Sequence, residues 1–119
     1  MSSKPINVSL AVIRSESGGN TRDGRYFYSF TPAIINVTEP DTEIVFTLSA
    51  ETAATYTMAD IYVNDISATF SSKKVGSDQR SLSIVNSNKV QQLIFVSLLV
   101  MHGDIRVNCD PQMTNTPTV

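Results

Sequence analysis

Tryptophan is absent from this chain of 119 residues, and cysteine and histidine occur once each, as Cys109 and His102. A lone cysteine cannot close an intramolecular disulfide, so nothing points to an oxidising compartment. One cysteine and one histidine cannot build a zinc site either. Seven residues apart on one extended strand, they would stand roughly 20 Å from each other, too far for a thiol–imidazole dyad within one chain. A buried structural cysteine and a surface turn histidine are expected instead. Basic residues are also scarce: nine Lys and Arg against eleven Asp and Glu leave a net charge of −2. Counterion release therefore cannot draw the chain to nucleic acid or to an anionic membrane, and neither is expected as a partner. The longest apolar run, "LIFVSLLVM" (93–101), covers about half a membrane span. The start, "MSSKPINVSL", has no apolar stretch of signal-peptide length. A soluble cytoplasmic protein is the expectation. "SGGN" (17–20) lacks the lysine and the strand-to-helix context of a phosphate loop, and "SLSIV" is not a nucleophile elbow. No cofactor is implied.

What is present is strand signal. "INVSLAVIR" (6–14) alternates, with Ile6, Val8, Leu10 and Val12 on one face. "RYFYSF" (25–30) is an aromatic strand, and core packing explains Tyr26, Phe27 and Tyr28 better than ring stacking on a ligand. "AIINV" (33–37), "IVFTLSA" (44–50), "IYVND" and "ISATFSS" (61–72) and "SLSIVN" (81–86) add further short strands. "TEPDTE" (38–43) is turn chemistry, with Pro40 suited to the second position of a type I turn. "ETAATYTMAD" (51–60) is ambiguous between a short helix and none, and "KKVGSDQR" (73–80) reads as a charged loop. "VQQLIFVSLLVM" (90–101) is apolar on both faces, as a central strand is. Eight or nine short strands predict an all-β fold, an antiparallel β-sandwich of immunoglobulin-like layout, with a closed barrel as the alternative. Residues 1–110 form the expected single domain, and 111–119, "PQMTNTPTV", a polar tail.

A two-residue turn at His102 and Gly103 would pair Met101 with Asp104, Cys109 with Val96 and Asp110 with Phe95. Ile105, Val107 and Cys109 would then share the apolar face, and Arg106, Asn108 and Asp110 the other. A bulge would shift these assignments by one.

The strand "VNCDPQM" (107–113) ends on the one Asp-Pro bond of the chain, Asp110-Pro111. It is either an ordinary strand stop, since proline cannot donate to the ladder, or a bond that can break. The second option rests on chemistry. The Asp side chain can attack its own main-chain carbonyl and close a five-membered cyclic anhydride, and the proline nitrogen, once protonated, leaves as a basic amine. A fold speeds this by twisting and shielding the peptide and by placing a proton donor nearby. A carboxyl beside Asp110 would have one pKa raised by like-charge repulsion. Glu39, Asp41, Asp60 and Asp65 are the candidates; Asp104, six residues back on the strand, is too distant.

"TEPDTE" (38–43) together with "CDPQ" (109–112) in a small all-β chain resembles the DP-EP family of small bacterial proteins, here through Glu39-Pro40 and Asp110-Pro111. The resemblance implies a β-sandwich that cleaves itself at the Asp-Pro bond, an aspartic-type autopeptidase of one turnover whose substrate is its own C-terminal segment. It further implies that the freed Asp carboxyl can join a lysine amine as an isopeptide. Asp110 would be the reacting aspartate, Pro111 the head of the released peptide, and Gln112 the next motif residue, with Asn108 a neighbour. Glu39 would do the acid/base work, and Tyr28 would polarise the scissile carbonyl or anchor Glu39. Lys89 is the candidate isopeptide partner, although by the expected register it sits roughly 20 Å from Phe95 along its strand. If Gln91 or Gln92 occupies the lysine position, cleavage by water survives and crosslinking does not. The competing expectation is a non-enzymatic structural or interaction module, built on the two-sided apolar strand and the low charge, with a second copy of the chain as one candidate partner.

Overall fold

The computed structural model describes residues 4–15, 18–21, 24–63 and 70–117. Ten strands are found among them: β1 (Ile6–Arg14), β2 (Tyr26–Thr31), β3 (Ile34–Val37), β4 (Thr42–Leu48), β5 (Tyr56–Val63), β6 (Phe70–Val75), β7 (Ser81–Asn86), β8 (Gln92–His102), β9 (Ile105–Cys109) and β10 (Gln112–Asn115). They form two sheets. The first has the order β2-β1-β4-β7-β6; the second has the order β3-β10-β8-β5, with β9 also on β8. Inward residues of both sheets, such as Val8, Leu10 and Ile44 from one and Ile94, Leu98 and Met113 from the other, close a single core. The fold is therefore all-β, two sheets around one apolar layer, as the alternation in β1, β4 and β7 requires. Pairing is mixed: β1 runs parallel to β4, and β3 parallel to β10.

Several local expectations change. Lys73, Lys74 and Val75 belong to β6 and not to a charged loop. β6 is an edge strand with both faces largely exposed, so it carries no alternation, and its lysines discourage edge-to-edge pairing. Residues 51–55 are turns and coil, and β5 then begins at Tyr56. Arg80 holds this loop by donating to the carbonyls of Ser49 (3.2 Å), Thr52 (2.7 Å), Ala53 (2.9 Å) and Tyr56 (2.9 Å). At the turn after β3, Asp41 takes φ 50°, the sign that a type II turn needs at its third position and a type I turn does not. Asp65 and the segment 64–69 of the expected strands at 61–72 lie outside the described residues.

The β8–β9 loop is Gly103 and Asp104, with His102 paired to Ile105. Gly103 has φ 62°, which suits the first loop position of a type II′ hairpin. Cys109 thus faces Leu98 and not Val96. The shift is two residues, so the alternation survives: Val107 and Cys109 are buried and Arg106, Asn108 and Asp110 exposed, but Ile105, expected on the apolar face, is exposed beside the turn. His102 is not a surface turn residue. It ends β8, half-buried, with its ring stacked 4.2 Å from that of Tyr56 and its Nδ1 2.8 Å from the Tyr26 hydroxyl.

The last strand was not expected. Residues 112–115, read as part of a polar tail, lie between β8 and β3 and pair with both. Met113 and Asn115 point into the core.

Candidate functional site

β9 and β10 pair with β8 in one unbroken register, Leu98 with Cys109 and then Phe95 with Gln112. Residues 105–115 are one strand interrupted at two positions, Asp110 and Pro111. Proline has no N–H to give to the ladder, which accounts for the gap. Pro111 is nevertheless buried, whereas Asp110 is exposed. The interruption opens on the outer face of the second sheet into a groove of about 560 Å³, lined by Tyr62 and Val63 of β5, Phe95, Val96 and Ser97 of β8, and Asp110, Pro111 and Gln112.

Tyr28 approaches the same residue from the other sheet. Burial pushes its phenol above the ordinary range, and a hydrogen bond from the Asp110 backbone works in the opposite direction. The neighbouring Asp110 charge adds to the rise, so Tyr28 stands close to Asp110. Its own backbone is clamped by Asn20, whose Nδ2 donates to the Tyr28 carbonyl (2.7 Å) and whose Oδ1 accepts from the Tyr28 N–H (2.8 Å). An edge-on contact with Phe30 (centroids 5.8 Å apart) fixes the ring.

The fold does not bring Glu39 to this point. β10 runs parallel to β3 with Gln112 beside Ile34 and Asn115 beside Val37. Asp110 precedes that ladder and Glu39 follows it, seven residues apart in register, which at strand rise is about 20 Å. Glu39 lies instead in a separate pocket of about 330 Å³ with Lys4, Ile6, Thr38 and Thr42. Its carbonyl accepts from the Thr42 hydroxyl (2.7 Å) and from Asn88 Nδ2 (3.3 Å). Asp41 shares that end of the molecule.

Lys89 is exposed and precedes β8, eight positions before Ser97, so about 25 Å from Asp110. Gln91 is exposed, and Gln92 pairs with Asn115 at the same far end. The β8 residues that line the groove with Asp110 are Phe95, Val96 and Ser97, none of them an amine. Asp60 is paired with Leu99 two positions beyond Ser97, and its carboxylate accepts from Lys73 Nζ (2.6 Å) and from the Ile61 N–H (2.8 Å). Those bonds hold it below the usual carboxylate range, so near neutral pH it has no proton to give. Asp104 is in the β8–β9 loop, as remote as its strand position implies.

Among the described residues, then, the polar side chains that line the groove with Asp110 are the hydroxyls of Tyr62 and Ser97 and the Gln112 carboxamide, with no second carboxylate. Tyr28 was named through the family resemblance and not from the residues themselves. Tyr62 and Ser97 were not legible in the sequence, because Ser97 shares the row of Asp110 only in the observed hairpin register, and Tyr62 reaches that row through its pairing with Ser97. Cys109, next in the chain, is fully buried, and burial together with the neighbouring Asp110 charge pushes its thiol up to about 12. It is a packing residue and not a nucleophile. No group of three potential metal ligands occurs among the described residues, and none of their helices is long and apolar enough to cross a membrane. No family model matches the chain, and no curated protein matches it.

Proposed function

We propose that this protein is a self-processing β-sandwich in which Asp110 breaks its own bond to Pro111. The observation that carries the proposal is the interruption of an otherwise continuous core strand at these two residues, with exposed Asp110 lining an outward groove and Tyr28 close to it. A carboxylate oxygen of Asp110 attacks the Asp110 carbonyl carbon and closes the cyclic anhydride. The C–N bond breaks, and the Pro111 nitrogen takes a proton as it leaves. Water then opens the anhydride and leaves two carboxyl groups on residue 110. Tyr28 is a positioning residue, because it stands beside Asp110 from the opposite sheet. Tyr62, in the groove, supplies the hydroxyl on the open side. Glu39 has no direct part at about 20 Å. An isopeptide from Asp110 to Lys89 would have to join two molecules, since one chain cannot span the distance.

The test is the intact mass of protein held near neutral pH over days. Loss of residues 111–119 from the covalent mass, abolished in Asp110→Ala and slowed in Tyr28→Phe, is the expected result. Cleavage that persists in Asp110→Ala would sink the intramolecular mechanism.

A second function, as an interaction module, is favoured by one observation. Ile34 (57%), Tyr62 (50%), Leu93 (60%) and Phe95 (66%) are exposed on strands of the second sheet, β3, β5 and β8. Sedimentation velocity of the protein and of Phe95→Ser tests it. A shared monomeric boundary for both across the micromolar range counts against self-association.

A further inference from the structure

We propose that the slot between β3 and β8 is a binding site for an extended peptide. In the intact chain its occupant is residues 111–117, and once the chain is open at Asp110-Pro111 it takes the same segment from a second copy. The inference rests on the cleavage proposal only for the origin of the free end.

The slot is built like a receptor site for a strand. Both long edges of β10 are paired, antiparallel to β8 and parallel to β3, so main-chain bonds form on two sides. A peptide that merely extends a sheet edge has bonds on one side only. Every second residue of the segment is buried: Pro111, Met113 and Asn115. Asn115 is read by a reciprocal pair of bonds with Asn86, which reaches across from β7 of the opposite sheet: Asn86 Nδ2 to Asn115 Oδ1 at 2.7 Å, and Asn115 Nδ2 to Asn86 Oδ1 at 3.1 Å. Asn86 Nδ2 also lies 3.5 Å from the Met113 sulfur. On the outer face, Asn36 Oδ1 accepts from the hydroxyls of Thr114 and Thr116, each at 3.0 Å. The Thr116 N–H donates to the Val37 carbonyl (2.9 Å). Shape, amide and hydroxyl contacts thus recognise the pattern proline, thioether, amide at alternate positions.

Two consequences follow. Breaking the chain at Asp110-Pro111 removes one covalent bond and none of these contacts, so the nine-residue product stays in place. β3 has β10 as its ladder partner in the sheet order, so an empty slot would leave β3 unpaired and the Met113 site open to water. That state is best filled by another copy of the same segment.

The test uses the full-length chain with the recognition sequence of a site-specific protease inserted between Asp110 and Pro111. The chain is cut in native buffer, so the outcome does not depend on self-cleavage. Native mass spectrometry should show body and peptide as a one-to-one complex. An excess of isotope-labelled synthetic peptide of sequence 111–119 should replace the unlabelled one over time. Peptides carrying Met113→Ala or Asn115→Ala should compete at least about tenfold less well, and a Gln112→Ala peptide as well as the parent within about twofold. Immediate loss of the peptide on cutting, or equal competition by all peptides, overturns the proposal. If the insertion prevents folding, hydrogen exchange on the unaltered chain serves instead. Amides of residues 112–115 exchanging as fast as those of a free peptide would equally overturn it.

Discussion

Asparagine 115 should be worth more to this fold than a surface tail residue can be. Its carboxamide and that of Asn86 are both buried and satisfy each other. In Asn115→Ala, Asn86 Oδ1 keeps the Asn88 N–H (2.9 Å), but Asn86 Nδ2 retains only a weak sulfur acceptor. One orphaned buried donor costs about 1–3 kcal/mol, and the void left by three heavy atoms adds roughly 1 kcal/mol. A total near ~3 kcal/mol is expected, which for a chain of this size lowers the melting temperature by about 10 °C. Asn86→Ala should cost about 4 kcal/mol, because it strands the Asn115 amide and the Asn88 N–H together. The double variant should cost no more than Asn86→Ala alone, a coupling of about 3 kcal/mol or more. Urea denaturation of the four proteins, with the slope checked for constancy, gives all these numbers. A cost below about 0.5 kcal/mol for Asn115→Ala, or single effects that add within that margin, would refute the buried pair and with it the docking of β10.

Other expectations are quickly checked. Arg80→Ala should destabilise by about 2–3 kcal/mol, since four carbonyls lose a charged donor, and Arg80→Lys should recover less than half of that in the same urea assay. Cys109 should react with a thiol reagent at pH 8 only at the rate of unfolding, and fast labelling of native protein would contradict its burial. The Cys109 thiol also sets an alkaline limit: it ionises at an ordinary pKa near 9 when unfolded and near about 12 when folded. The unfolded chain thus binds fewer protons above pH 9, so stability falls as pH rises from 9 towards 12, and Cys109→Ala should flatten that decline. Glu39→Gln should leave the cleavage rate unchanged; a slowing of tenfold or more would mean that the β3–β4 turn reaches Asp110 in a conformation other than this one.

Periodicity made the two-sheet fold legible because β1, β4 and β7 each bury alternate residues, while β8 stood out as a long two-sided apolar run. It failed where burial does not alternate or polarity misleads. β6 is exposed on both faces, so its lysines read as loop. β10 buries an asparagine that is apolar in no scale and is at home in the core only because Asn86 faces it from the other sheet. The hairpin register was displaced by two residues because the loop is Gly103 and Asp104. The even shift kept the faces correct and still moved Asp110 from the row of Phe95 to that of Ser97. Within the candidate site, bond chemistry singled out Asp110, and Tyr28 entered only through the family resemblance. The distance of Lys89 was already implied by the hairpin register, but the separation of Glu39 from Asp110 was not visible, because it depends on the parallel pairing of β3 with β10, strands 75 or more positions apart in the chain.

The most direct test of self-processing is the covalent mass of freshly purified wild-type protein, and of the same sample kept for days near pH 7, beside Asp110→Ala. Acid is excluded during the incubation because Asp-Pro bonds hydrolyse there without help from a fold. A growing pair of species, residues 1–110 and 111–119, in the wild type alone is the result expected. An intact wild-type mass throughout, or equal cutting of Asp110→Ala, would contradict it and leave the Asp110-Pro111 gap as no more than the place where proline interrupts a strand.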